Sequence, residues 1–186
     1  KNFAGGKRRS EIVGRAKTPL GQDVIFIDDY GHHPTAIKTT LAGFKQFYKN
    51  HKIIVDFMSH TYTRTAALLE EFASSFESAD KVIINKIYGS AREDASAASV
   101  TGEILAEHAK KYHGDVSYAG EFSEAAELGI RFLSEPSGAD FLDGYVFVTA
   151  EPRGMTSEWD TFLGVFLTAS LAVMVLALMF AYMTAK

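Results

Sequence analysis

Asp28-Asp29-Tyr30-Gly31-His32-His33-Pro34-Thr35 is the stretch around which the rest of the sequence is organised. The β-branched and apolar residues 24–27 ahead of it predict a buried strand that ends in carboxylates. Pro34 then favours the start of a helix, since proline fits the first helical turn. Two acids, a tyrosine and two histidines therefore lie in one strand-to-helix turn. Ligand sites of open α/β sheets collect at such carboxyl ends of strands.

Strand and helix patterns alternate on both sides of this turn. Helices of ten or so residues between strands predict an α/β fold, with a Rossmann-like, mostly parallel sheet and helices on both faces. The first two strands are separated by Thr18-Pro19-Leu20-Gly21, a turn sequence that favours a hairpin. The predicted strands are 10–15, 24–28, 52–57, 81–85, 115–118 and 144–149, and the predicted helices follow Pro34 and cover 68–76, 100–111 and 124–133.

The C-terminal part has a different character. Residues 162–183 carry no charge, and 22 residues of helix measure about 33 Å, close to the thickness of a bilayer core. This pattern predicts three regions: an α/β domain over 1–150, a polar linker over 151–160 and a single transmembrane helix over 161–184. Three small residues of this predicted helix would allow another membrane helix to pack closely against it. These residues are Gly164, Thr168 and Ala172.

Charge and composition exclude several classes of function. The chain has 186 residues and a net charge of −4, which argues against a general nucleic-acid binder. It has no cysteine, so disulfides, thiolate metal sites and cysteine nucleophiles are excluded. The histidines and acids near Pro34 have no second ligand group at metal spacing, and we therefore predict no metal site.

The stretch at 28–35 resembles a signature of the C-terminal domain of Mur ligases, within that family most closely the branch that joins L-alanine to UDP-N-acetylmuramate. Segments 3–9, 59–65 and 87–93 resemble the same family in order and spacing. The resemblance covers residues 1–150 and implies a Rossmann-like fold. It also implies a reaction in which ATP converts a carboxylate to an acyl phosphate that an amino acid then attacks.

The resemblance implies roles for individual residues. It places an arginine near the nucleotide, a tyrosine and a histidine near the incoming amino acid, and a second histidine and arginine facing its carboxylate. Chemically, the planar guanidinium of arginine can bind a carboxylate with two hydrogen bonds, and a neutral histidine can accept a hydrogen bond or orient a bound group. Alternatively, the acids and histidines before Pro34 only cap turns and the next helix. The substrate-binding residues implied in this way, interpreted as vestigial, are Arg9, Asp29, Tyr30, His32, His60 and Arg64.

Three departures from the family shape the functional hypothesis. No Gly-x-x-x-x-Gly-Lys-Ser/Thr loop for phosphates occurs in the sequence. Residues 150–154 replace the Gly-Ala-Gly-Asp-like turn of the family, and the apolar segment at 162–183 has no counterpart there. Together these departures predict a protein without catalytic residues and without a cofactor. ATP and magnesium are expected only if the chain is part of a ligase.

The first hypothesis is a non-catalytic, single-pass accessory subunit of a photosynthetic or respiratory complex. Its partners would be other subunits and the lipid bilayer, in a thylakoid or mitochondrial inner membrane. The alternative is the C-terminal part of a split ATP-dependent ligase of peptidoglycan precursor synthesis. A third interpretation is a tethered module that binds a nucleotide or an amino-acid-like ligand without turnover.

Overall fold

The computed structural model describes residues 8–18, 21–89, 93, 99–134 and 144–150. These residues form one six-stranded sheet with helices packed against it. The strands are β1 (Glu11–Lys17), β2 (Asp23–Asp28), β3 (His51–Phe57), β4 (Lys81–Asn85), β5 (Val116–Ala119) and β6 (Gly144–Ala150). The helices are α1 (Pro34–Phe47), α2 (Tyr62–Ala67), α3 (Leu69–Ala73), α4 (Gly102–Ala109) and α5 (Phe122–Ser134), with a 3₁₀ turn at Ser74–Phe76.

The strand order is β1-β2-β6-β3-β4-β5, and every pair except β1–β2 is parallel. The predicted hairpin is confirmed: β1 runs antiparallel to β2, with Glu11 opposite Asp28 and Lys17 opposite Asp23. Gly21, with φ of +84°, closes the turn in a conformation that L side chains rarely adopt. The prediction of a mostly parallel sheet is therefore confirmed.

The two faces of the sheet are covered by different helices. On β2, Ile25 and Ile27 pack in one cluster with α1, α3 and α4, whereas Val24 and Phe26 pack in a second cluster with α5. The connections β2–β3, β3–β4 and β4–β5 advance in one direction, and the connection through α5 returns to place β6 between β2 and β3. Since such crossovers are right-handed, reversing direction moves the helix to the opposite face. Helices on both faces are confirmed.

The predicted helix over 68–76 is interrupted in the structure. The short helix α3 and the 3₁₀ turn take its place, and Leu68, with φ of −123°, separates α3 from α2. Phe72 and Phe76 are buried as predicted. The segment ends as a 3₁₀ turn where the Ser75 hydroxyl donates to the carbonyl of Phe72 at 2.8 Å, since serine hydroxyls compete with the regular backbone pattern.

The predicted linker and transmembrane helix lie outside the described residues, together with Gly164, Thr168 and Ala172. Within the described part of the chain, none of the helices is long and apolar enough to cross a membrane.

The parallel sheet determines where a site can form. The carboxyl ends of β2, β3 and β4 meet at one edge, and the loops that leave them are 29–33, 58–61 and 86–89. Because β6 lies between β2 and β3, the first two loops are about 10 Å apart at the usual strand spacing.

Candidate active site

The loop after β2 begins with a buried ion pair. Asp28 is 6% exposed, and the Nε of Arg8 donates to its Oδ2 at 2.9 Å. Burial raises the pKa of the Asp28 carboxyl above its ordinary value, and Arg8 opposes this change. Its other oxygen, Oδ1, accepts no hydrogen bond from the described residues. Arg8, just ahead of β1, is thereby joined to the end of β2.

Asp29, Tyr30 and His32, which follow Asp28 in this loop, present polar groups near the surface. Asp29 Oδ2 accepts from the Ser10 backbone amide at 2.8 Å and from its hydroxyl at 3.1 Å. The guanidinium of Arg8 lies 5.4 Å from the centre of the Tyr30 ring, which is 37% exposed. The Tyr30 and His32 rings are in contact, with centroids 5.1 Å apart. The carboxylate of Asp29 is thus hydrogen-bonded to Ser10, whereas the side chains of Tyr30 and His32 are exposed at the edge of the sheet.

The hydrogen bonds assign the tautomers of the two histidines. His32 Nδ1 lies 3.2 Å from the carbonyl of Tyr30, which can only accept, so Nδ1 carries the proton and Nε2 of the neutral ring is an acceptor. His33 Nδ1 instead accepts from the Thr35 amide at 3.3 Å and caps α1 ahead of Pro34. The helix-capping interpretation therefore holds for His33, whose Nε2 then carries the proton, whereas the Nε2 of His32 is left as an acceptor.

The loop after β3 carries the second histidine. His60 stacks on Tyr88, with centroids 5.9 Å apart and ring planes 15° apart. The backbone of Tyr88 clamps the loop from both sides: its carbonyl accepts from the Thr61 amide at 3.0 Å, and its amide donates to the carbonyl of Ser59 at 2.9 Å. Thr61 has φ of +75°, which is strained for a β-branched residue. Such strain persists where the surroundings hold it and is concentrated at functional sites.

Arg64 lies one turn further along, in α2, and is half-buried. No carboxylate of the described residues forms an ion pair with its guanidinium. A half-buried arginine in this state is suited to an anionic ligand, because its planar fork matches a carboxylate.

A buried hydroxyl network supports this loop. Thr65 is 0% exposed, and its hydroxyl donates to the carbonyl of Thr61 at 2.7 Å. Since that proton is already used, the Ser59 hydroxyl must donate to Thr65 Oγ1, 2.6 Å away. The network fixes the chain on both sides of His60.

Replacement of Thr65 by valine is expected to lower the free energy of unfolding by about 1–3 kcal/mol, since the buried Ser59 hydroxyl and the Thr61 carbonyl lose their partner. Urea denaturation measures the change. Thr39→Val is the matched control, because the Thr39 hydroxyl makes the same bond, to the carbonyl of Thr35 at 2.8 Å, but is exposed. Equal losses in the two variants would contradict a special role for the buried network.

Five of the six predicted site residues fall into two groups at one edge of the sheet. The first contains Asp29, Tyr30 and His32, and the second contains His60 and Arg64. Arg9 is exposed, and it is the neighbouring arginine, residue 8, that forms the ion pair at this edge. The substrate-binding role of these residues stays a prediction.

Sequence reasoning missed three features of the site. Arg8 could have been weighed beside Arg9, because the two are adjacent basic residues. Glu93 contacts the start of α2 from 30 residues away, which no local pattern indicates. Asp56 and Asn85 form a buried pair near the ends of β3 and β4, and a polar residue inside each apolar strand was a readable signal.

Comparison with known proteins identifies the class. The family model of the Mur ligase glutamate ligase domain matches residues 8–150, and the chain belongs to this family. The UDP-N-acetylmuramate–L-alanine ligase of Treponema pallidum (strain Nichols) is 49% identical over 147 residues, which cover 79% of this chain and 28% of the relative. The ligase of the same name from Sulfurihydrogenibium sp. is 39% identical over 127 residues, covering 68% and 26%.

Solved structures agree on the fold. The UDP-N-acetylmuramate–alanine ligase of Thermotoga maritima superposes with a TM-score of 0.60 at 20% identity, covering 90% of this chain and 31% of the other. The chain thus spans less than a third of the length of the relatives it matches.

These findings correct the functional hypothesis. The prediction of a non-catalytic accessory subunit of a photosynthetic or respiratory complex is wrong, as is the description of the chain as a pseudoenzyme, because the relatives are ligases. The predicted thylakoid or mitochondrial inner membrane is contradicted by the same relatives. The error arose because the apolar segment at 162–183 was used to infer the function of the whole chain. Such a segment indicates only the environment of its own residues and not the chemistry of the 150 residues of the α/β domain. The alternative, part of a ligase, is favoured.

Proposed function

We propose that this chain forms the amino-acid-facing part of an ATP-dependent UDP-N-acetylmuramate–L-alanine ligase. The observation that carries the proposal is the placement of His60, on the loop after β3, and Arg64, one turn further along in α2, at the edge of the sheet that also carries Tyr30 and His32. The loops after β2 and β3 are about 10 Å apart at the usual strand spacing. The identity of 49% to a ligase of that name supports the same substrates.

Each outward-facing group has a role in this reaction. The guanidinium of Arg64 would bind the carboxylate of L-alanine, since no carboxylate among the residues that the structure describes forms an ion pair with it. The Nε2 of His32 would accept a hydrogen bond from the amino group and orient it. Tyr30 and His60 would line the space between the two loops. These contacts position the amine for attack and contribute to rate mainly through proximity.

ATP and magnesium belong to the chemistry of this family. When bound, ATP supplies the activation of the carboxylate that the amine attacks. The described residues do not fit these groups by themselves: no cluster of three histidines or acids among them could hold a metal ion, and the sequence has no P-loop. We therefore propose that the phosphates and the metal are held mainly by other parts of the ligase.

Reconstitution tests the proposal. The part of the T. pallidum ligase that this chain does not match is mixed with the chain, and ADP release is measured with UDP-N-acetylmuramate and L-alanine. We expect turnover that requires the chain. If the relative's own C-terminal domain restores turnover and this chain does not, the proposal fails.

Arg64→Ala is expected to raise the KM for L-alanine about 10- to 100-fold in this mixture, the range for loss of a hydrogen bond to a charged group. Arg15→Ala is the matched control, because Arg15 is an exposed arginine on β1, away from the loops after β2 and β3. An unchanged KM in Arg64→Ala would remove the assignment of the carboxylate contact.

A further inference from the structure

Glu93 reaches the loop after β3 from the segment that follows β4. Its Oε2 accepts from the Tyr62 amide at 3.1 Å, and its Oε1 accepts from the Thr63 amide at 3.0 Å and from the Thr63 hydroxyl at 2.6 Å. Tyr62 and Thr63 are the first two residues of α2. The carboxylate therefore satisfies two amides that have no partner within the helix.

Helix α2 depends on this external cap. It has only six residues, and its N-cap residue, Thr61, makes no side-chain capping bond. The φ of Thr61 is positive, so the backbone enters the helix through a strained conformation. A helix of this length is not stable on its own, and its geometry has to be set by its neighbours.

Two further contacts join the same segments. The ring of Tyr88 stacks on His60, and its backbone bonds to the residues on either side of that histidine. Gly89 packs under Tyr62, since a Cβ at residue 89 would lie 2.7 Å from the Tyr62 ring. Tyr88, Gly89 and Glu93 thus contact His60 and the start of α2 through a ring, the backbone and a carboxylate.

We propose that Glu93 is a positioning residue that holds His60 and Arg64 at the edge of the sheet through the first turn of α2. The role of those two residues rests on the function proposed above, whereas the geometry is testable without it. The carboxylate bridges the loops after β3 and β4, so the orientation of the amino-acid contacts depends on both.

NMR on the chain itself tests this inference. In Glu93→Ala, exchange of the Tyr62 and Thr63 amide protons is expected to accelerate about 10- to 100-fold, the range for loss of a bond to a charged acceptor. The His60 ring protons, shifted by the stacked Tyr88 ring, should move toward the values of an exposed histidine. Glu93→Gln keeps one acceptor oxygen and should give an intermediate result.

Glu124→Ala is the matched control. Glu124 Oε2 accepts from the amides of Gly120 and Glu121, at 2.7 and 3.3 Å, beside the start of α5. This variant should speed exchange at those two amides and leave the His60 ring protons unchanged. Unchanged His60 protons in Glu93→Ala, or equal changes in both variants, would overturn the inference.

The NMR experiment and the ligase assay together distinguish a failure of this inference from a failure of the proposed function. An altered His60 signal without turnover in the reconstituted mixture would keep the positioning role and remove the proposed function. Turnover with an unaffected KM for L-alanine in Glu93→Ala would keep the function and remove the positioning role.

Discussion

Asp56→Asn is expected to stabilise the protein at pH 8 by about 4 kcal/mol and to leave its stability at pH 4 nearly unchanged. The expected effect comes from one carboxyl group, on β3, that is 0% exposed. Burial raises its pKa from the ordinary value of 3.8 to about 7, against an opposing hydrogen bond from Asn85. The charged form of Asp56 is therefore unfavourable in the folded state.

The side chains around Asp56 suit a neutral acid. The Nδ2 of Asn85 donates to Asp56 Oδ1, while Asp56 Oδ2 and Asn85 Oδ1 are buried and accept nothing from the described residues. A protonated Asp56 brings the donor that these oxygens lack. Asparagine at position 56 offers an amide with the same shape, one donor side and no charge.

The direction of the pH effect follows from the raised pKa. Between pH 3.8 and about 7 the unfolded chain has lost the proton of Asp56 and the folded protein retains it. Stability contributed by this group is therefore present below pH 3.8 and is lost progressively up to about pH 7. The asparagine variant has no such loss, so the two proteins diverge across this window.

Urea denaturation of both proteins at pH 4, 6 and 8 measures this divergence. Asp23→Asn is the control, because Asp23 is an exposed partner of Lys17 at 2.9 Å and its pKa is lowered, chiefly by the hydrogen bond from that lysine. Its change should be small and of the opposite sign. A constant difference between Asp56→Asn and the parent at all three pH values would show that the carboxyl does not titrate in this window.

The strands were predictable because each buried strand consists of a short continuous run of apolar residues in the sequence. Residues 24–27, 53–55 and 82–84 are continuous β-branched or aromatic segments, and each is buried in a parallel strand, as such runs indicate. The turn at 28–34 was predictable for the same reason. Pro34 marks the start of α1, and the apolar run before the turn marks the carboxyl end of β2.

Strand order was not predictable from the same runs. The insertion of β6 between β2 and β3 pairs Ile25 with Val146 and Ile53 with Val146, contacts across about 100 residues that no local pattern records. The site shares this difficulty. Arg8 is partly buried against Asp28 whereas Arg9 is exposed, and the contact of Glu93 with α2 exists only once β3 and β4 are neighbours.

Gly102→Ala is expected to lower the free energy of unfolding by about 3 kcal/mol, at the upper end of the range for overpacking. Gly102 is the first residue of α4, and a Cβ there would lie 2.2 Å from the carbonyl oxygen and 2.9 Å from the carbonyl carbon of Asn85. Both are backbone atoms, so no side-chain rotation removes the clash. Either α4 or the end of β4 must shift.

Gly43→Ala separates this clash from a general effect of replacing glycine. Gly43 lies within α1 with nothing near its Cβ position, so alanine there should raise stability by about 0.5–1 kcal/mol through a lower entropy cost. Urea denaturation of both variants should therefore give changes of opposite sign. If Gly102→Ala is also stabilising, α4 does not pack this closely against the backbone at the end of β4.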